Sequence, residues 1–104
     1  MDKQQVAKDL EAAAAYIDQY GWIQKSFRNE DRQVCIYGAI CQVTGNPDGR
    51  LGNRRTGEAM DVISEDVGSA ITWNDVPGRK KLGVTRLLRK TAKRLRQESL
   101  TFVL

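Results

Sequence analysis

Residues 34–43 read Val-Cys-Ile-Tyr-Gly-Ala-Ile-Cys-Gln-Val, and only Gln42 among them is plainly polar. A short segment that is apolar on nearly every side has to be wrapped on every side. The other segments are amphipathic or polar, so they are expected to gather around this one. Periodicity alone does not separate a buried strand from a buried helix here. Helix is the better reading, because Gly38 and Ala39 are poor strand residues and let a second helix approach closely. Asn29 or Asp31 offers an N-cap ahead of it, and Gly45 stands where such a helix would stop.

The flanking segments supply the wrapping. Val6, Leu10, Ala13, Ala14 and Ile17 recur at helical spacing, and the alanine run at 12–15 has the highest intrinsic propensity, which predicts a helix over residues 3–20 closed by Gly21. Trp22, Ile23 and Phe27 read as core anchors on a short connection, and residues 28–33 as a polar surface turn. Turn residues dominate from Gly45 to Gly57. Thr56 is placed to open a helix to about Val67, with Ala59, Met60, Ile63 and Val67 on one face. Residues 69–79 read as an irregular link in which Ile71, Trp73 and Val76 cover one end of the core and Asn74 and Asp75 serve as turn or capping residues. The last helix is expected from about Lys80 to Gln97, with Val84, Leu87, Leu88, Thr91 and Leu95 inward. Gly83 weakens its first turn, and Arg79, Lys80 and Lys81 oppose its dipole. The whole reads as an all-α, single-domain bundle of about four helices around a buried central helix, with residues 1–96 as the helical domain and 97–104 as a C-terminal linear motif.

At 104 residues the chain can build one core without metal or disulfide staples. No run approaches the roughly 18 apolar residues of a membrane span, and the opening MDKQQVAKD lacks an apolar signal core, so a cytoplasmic protein with no membrane partner is expected. Cys35 and Cys41, six residues apart on one helix, point to different sides and read as buried reduced thiols. With no His and two Cys, the ordinary structural zinc sets cannot be assembled, and no cofactor is implied. The charge is divided. Residues 1–78 hold 8 Lys/Arg against 12 Asp/Glu, a net of −4, and residues 79–104 hold 9 against one, a net of +8. A cationic end of this kind suggests an anionic partner.

Three short motifs stand in order along the chain: Gly21-Trp22, Val34-Cys35-x-x-Gly38-Ala39, and Trp73-Asn74-Asp75-x-Pro77-Gly78-Arg79 ahead of a helix carrying Leu87-Leu88. Over about residues 5–95 they resemble an uncharacterised family of small actinobacterial and actinophage proteins. The resemblance implies a compact helical domain from a mycobacterium-like host or its phage, and brings no established activity. The family's helix after Trp-Asn-Asp often opens on a capping box of Thr and Glu. Lys80 and Gly83 stand in those places here, which makes this end more basic.

An enzyme is not expected. No His is present as a general base, and no Ser lies in a nucleophile-elbow context. Asp61 and Glu65 read as a solvated helix face, and Asp75 as a turn cap rather than a catalytic acid. Arg50, Arg54 and Arg55 lie in a Gly-rich loop whose spacing fits no phosphate-binding fingerprint. No small-molecule substrate is indicated. Arg86, Arg89, Lys90, Lys93, Arg94 and Arg96 on the last helix form either a solvated face or a contact for nucleic-acid phosphates.

Beyond those cations the chain turns apolar again. Gln97-x-x-Leu100-x-Phe102 resembles the peptide by which bacterial polymerases and repair proteins dock on the β sliding clamp. The resemblance implies that the Gln97 amide anchors the peptide while Leu100 and Phe102 fill one hydrophobic cleft, with Val103 and Leu104 beside them. Glu98 departs from the pattern, which frequently has Leu there. The competing reading is that Leu100, Phe102 and Val103 cap the protein's own core. Two functions therefore stand from the sequence: a phage-type protein that occupies the host clamp and competes with replication proteins, or a nucleic-acid-binding regulator acting through the basic helix.

Overall fold

The computed structural model describes residues 1–50 and 52–103, with side chains through residue 100. Five helices follow in order: α1 Lys3–Tyr20, α2 Ile36–Val43, α3 Arg54–Val67, α4 Ala70–Asn74 and α5 Lys81–Val103. Among the described residues there is no strand, only isolated bridges pairing Trp22 and Arg28 with Val34. No helix among them is long and apolar enough to cross a membrane. The all-α, single-domain reading holds, with one short helix more than expected.

The α1 bounds agree with the periodicity. Asp2 caps the helix by accepting from the Gln5 N–H, and Gly21 ends it at φ 103, where a side chain would be strained. α1 and α5 run antiparallel, because Lys3 meets Glu98 near one end and Asp18 meets Arg89 near the other. Val6, Leu10, Ala13, Ala14 and Ile17 of α1 share the core with Val84, Leu88, Ala92 and Leu95 of α5. Alanine at three of these positions lets the two backbones come close. Each buried Leu or Ile contributes roughly 1.5–3 kcal/mol relative to exposure.

α2 packs against α1, α3 and α4, and Ile36, Ala39, Ile40 and Cys41 are buried. It is the central helix that its composition demands. Its start differs from expectation. The N-cap is Cys35, whose Sγ accepts from the Gly38 N–H at 3.3 Å, not Asn29 or Asp31. Asn29 instead ties the turn before it, accepting from the N–H groups of Asp31 and Gln33. The close neighbour of Gly38 is not a helix either. A Cβ there would collide with the carbonyl oxygen of Phe27, so loop 21–35 presses its backbone on this position. The same carbonyl accepts from the Cys35 N–H.

α3 starts two residues early because Asn53 caps it, accepting from the Thr56 N–H at 2.9 Å. The loop before it is fastened internally. Asn46 is buried and exchanges hydrogen bonds with both backbone groups of Arg50, and the hydroxyls of Thr44 and Thr56 meet at 2.6 Å. Within residues 69–79 the chain is not wholly irregular, since Ser69 caps the single-turn α4. Ile71 and Val76 do not cover the core; both are exposed, while Trp73 packs against it. At α5 the inward stripe gains Ala92 and Thr85, and Leu87 is only partly buried.

Two glycine substitutions test this packing in opposite directions. In Gly38→Ala the new methyl meets backbone that cannot step aside, and a loss of about 1–3 kcal/mol is expected. In Gly83→Ala the methyl enters open space on α5, and a gain of about 1 kcal/mol is expected. Urea unfolding followed by far-UV circular dichroism measures both. Equal effects on the two variants would refute the close approach at Gly38.

Candidate functional site

The three sequence motifs meet in space at α4. Asn74 has 0% exposure and all four of its side-chain hydrogen-bonding positions filled. Its Oδ1 accepts from the Trp22 indole at 2.7 Å and from the Ile36 N–H at 3.0 Å, and its Nδ2 donates to the Ile23 carbonyl and the Asp75 carboxylate. Gln24 donates to the carbonyls of Asn74 and Val76. The Arg79 guanidinium lies 4.0 Å from the Trp73 ring centre while its Nε donates to the Trp73 carbonyl. Asn74 is therefore not a surface turn residue but a clasp joining loop 21–35, α2 and α4. Asp75 accepts from the Lys25 N–H at 2.8 Å, and this bond, helped by Asn74, holds its carboxyl below the usual range. A carboxylate so engaged closes a loop and is not poised to take a proton. Cys35 and Cys41 are free and buried, and burial pushes both thiols up, away from the reactive thiolate.

Arg54 and Arg55, expected in the loop, instead open α3 and are engaged in ion pairs. Arg55 reaches the buried Asp9 of α1 with two bonds, at 2.6 and 3.2 Å, and Gln5 donates to the same carboxylate. Arg54 pairs with Glu58 one turn on.

The basic face of α5 is half neutralised by the acidic remainder of the chain. Arg89 meets Asp18 at 2.7 Å. Arg94 meets Asp66 at 3.1 Å and Glu98 at 2.9 Å. Arg96 clamps Glu11 through two bonds and donates to Gln4. Asp66 also accepts from the buried Thr91 hydroxyl, which explains a polar residue in the core stripe. Arg86, Lys90 and Lys93 carry no ion pair among the described residues, and their i, i+4, i+7 spacing puts them on one face. Of the nine cations in residues 79–104, Arg89, Arg94 and Arg96 are thus paired, and Arg79, Lys80 and Lys81 around the start of α5 also carry no ion pair among the described residues.

α5 does not end near Gln97 but runs on to Val103. Residues 97–103 contain neither Gly nor Pro to stop it, and the contacts of Glu98 with Lys3 and Arg94 tie its last turns. Leu95 is the last buried residue along it within the described side chains. Gln97 is exposed, and Leu100 is 65% exposed. At 1.5 Å per residue the helix extends about 12 Å beyond Leu95. The side chains of Phe102 and Val103, and Leu104 as a whole, lie outside the described residues.

The family model for the family of unknown function DUF6197 matches residues 1–94, and the chain belongs to that family. No curated protein and no solved structure matches the chain. The matched span covers the Asn74 clasp and leaves out residues 97–104.

The ion pairs give the α1–α5 seam an acid limit. Arg96 holds the Glu11 carboxyl below the usual glutamate range, and Arg94 with Lys3 does the same to Glu98. With folded pKa values below the unfolded one, these pairs stabilise fully above about pH 4.3 and are lost as pH falls through the folded values. Thermal unfolding across this range is expected to show a decline below the ordinary glutamate value that is shallower in Glu11→Gln. An identical decline in the two proteins would remove Glu11 from the account. A second variant reads the clasp. Asn74→Ala strands the Ile36 N–H and the Trp22 indole, and about 2–4 kcal/mol of stability is expected to go, measured by urea unfolding with Trp fluorescence.

Proposed function

We propose that this DUF6197 member docks residues 97–104 on a bacterial DNA polymerase sliding clamp and thereby competes with replication proteins for the clamp's peptide cleft. The observation that carries this reading is Leu100, a large apolar side chain left 65% exposed inside the pattern Gln97-x-x-Leu100-x-Phe102. An exposed Leu100 is of no use to the protein's own core, which speaks against the capping alternative. On a helix, residues two apart are separated by about 200°, so Leu100 and Phe102 enter one cleft only if the last turns unwind. Two features favour such unwinding. No described side chain beyond Leu95 is buried, and the Glu98 contacts that tie the segment are exposed ion pairs, which hold weakly. No catalysis is required. With a phage origin, as the resemblance implies, the outcome is arrest of host replication by competition.

The runner-up is nucleic-acid binding through α5. It rests on Arg86, Lys90 and Lys93, which share one face of α5 and carry no ion pair among the described residues. Three phosphate contacts support only modest affinity and a shallow salt dependence.

Surface binding to a purified mycobacterial-type clamp separates the two. The full chain is expected to bind, and a chain ending at Arg96, Leu100→Ala and Phe102→Ala are expected to lose about tenfold or more, with helical circular dichroism kept and little sensitivity to salt. Retained binding by the truncated chain would refute tail docking. Binding of DNA that weakens with salt and with loss of Lys90 and Lys93 would establish the runner-up.

A further inference from the structure

A different surface is formed where the C-terminal half of α1, the turn at 28–33 and α2 come together. It is an open cleft of about 380 Å³ lined by Tyr16, Tyr20, Arg28, Asn29, Arg32 and Gln42. Both charged residues lining it are cations, and no carboxylate does. The Tyr16 and Tyr20 rings lie 4.6 Å apart and form an aromatic wall, and the Arg32 guanidinium sits 5.5 Å from the Tyr20 ring centre.

Arg32 occupies an unusual backbone position. Its φ is 66, in the left-handed region that favours glycine. The turn is nonetheless firmly held. The Arg32 N–H donates to the Asn29 carbonyl, the Asn29 Oδ1 accepts from the N–H groups of Asp31 and Gln33, and the Asn29 Nδ2 donates to Gln33 at 2.7 Å. Glycine would suit the backbone of this turn better, and the Arg32 side chain rests against the Tyr20 ring. Its guanidinium has no ion pair among the described residues. Arg28 reaches the exposed Asp48 at 3.5 Å and the Pro47 carbonyl at 3.4 Å, both at the long limit of a hydrogen bond and readily exchanged for a stronger acceptor. Gln42 commits its amide nitrogen to Pro47 and keeps its side-chain oxygen as an acceptor.

We propose that this cleft binds a nucleotide unit, with the phosphate taken by Arg28 and Arg32 and the base set against the Tyr16–Tyr20 wall. Guanidinium forks match phosphate geometry, and aromatic faces accept any base. The volume exceeds what a bare oxyanion needs and falls within the range of small-molecule sites. The site is independent of residues 97–104 and of the α5 cations. A free nucleotide and one unit of a single strand offer the same chemistry.

Amide chemical-shift titrations of the full chain with thymidine monophosphate, a short oligothymidylate and inorganic phosphate test this. Saturable shifts are expected at Tyr16, Tyr20, Arg28 and Arg32. Arg32→Gly removes the guanidinium while suiting the backbone, so its thermal stability should hold or rise while nucleotide affinity falls about tenfold or more; Arg28→Ala should weaken binding as well. Much tighter binding of the oligomer identifies a strand as the source, and equal binding identifies the free nucleotide. The proposal is overturned by the absence of saturable binding, by inorganic phosphate binding as tightly as the nucleotide, by shifts confined to α5, or by unchanged affinity in both arginine variants.

Discussion

Asn74 has no contact with solvent, and every hydrogen-bonding position of its side chain is filled, by Trp22, Ile23, Ile36 and Asp75. A buried amide left without partners is costly, and one with all of them joins whatever it touches. Here it joins the indole of Trp22, the first turn of α2 and the end of α4. The Ile36 N–H is one of the donors that a helix leaves unpaired at its start, and Asn74 satisfies it from 38 residues away. Loop 21–35 is thereby pulled onto α2 until the Phe27 carbonyl reaches Gly38, and the glycine follows from that approach. No buried side-chain nitrogen or oxygen among the described residues lacks a partner, so the polar interior is closed around this residue.

Charge follows a similar economy. α1 and the basic helix are separated in sequence but antiparallel in space, which places Asp18 and Glu11 beside Arg89 and Arg96, and Asp66 of α3 meets Arg94. Exposed pairs of this kind contribute little each, but they cancel the field that a lone basic helix would project. What is left for partners includes the α5 face of Arg86, Lys90 and Lys93, an apolar side chain beyond the last buried residue, and a cleft with two arginines and two tyrosines at the C-terminal half of α1. The family-matched span ends before residue 97. The clasp and the aromatic cleft therefore lie inside the part shared with the family, and the clamp-like segment lies outside it.

What the sequence alone determined is the set of elements that depend on local physics. α1 was legible to the residue because Val6, Leu10, Ala13, Ala14 and Ile17 repeat at helical spacing up to a terminating Gly. The central place of α2 was legible because a segment with almost no polar face has nowhere else to go. α5 was legible as a helix, though not its extent, because nothing in its last seven residues marks an end. The candidate binding residues of the tail were legible as a pattern, but whether Leu100 is buried was not. The rest was decided by tertiary structure. Why Asn74 and Thr91 are polar inside a core, and which acids Arg89, Arg94 and Arg96 reach across the fold, depend on partners 25 to 85 residues away, and why position 38 is glycine depends on the approach of the Phe27 carbonyl. A hydrogen bond or ion pair needs its atoms within a few ångströms, and that proximity is created by the packing of helices, not by the spacing of residues along the chain.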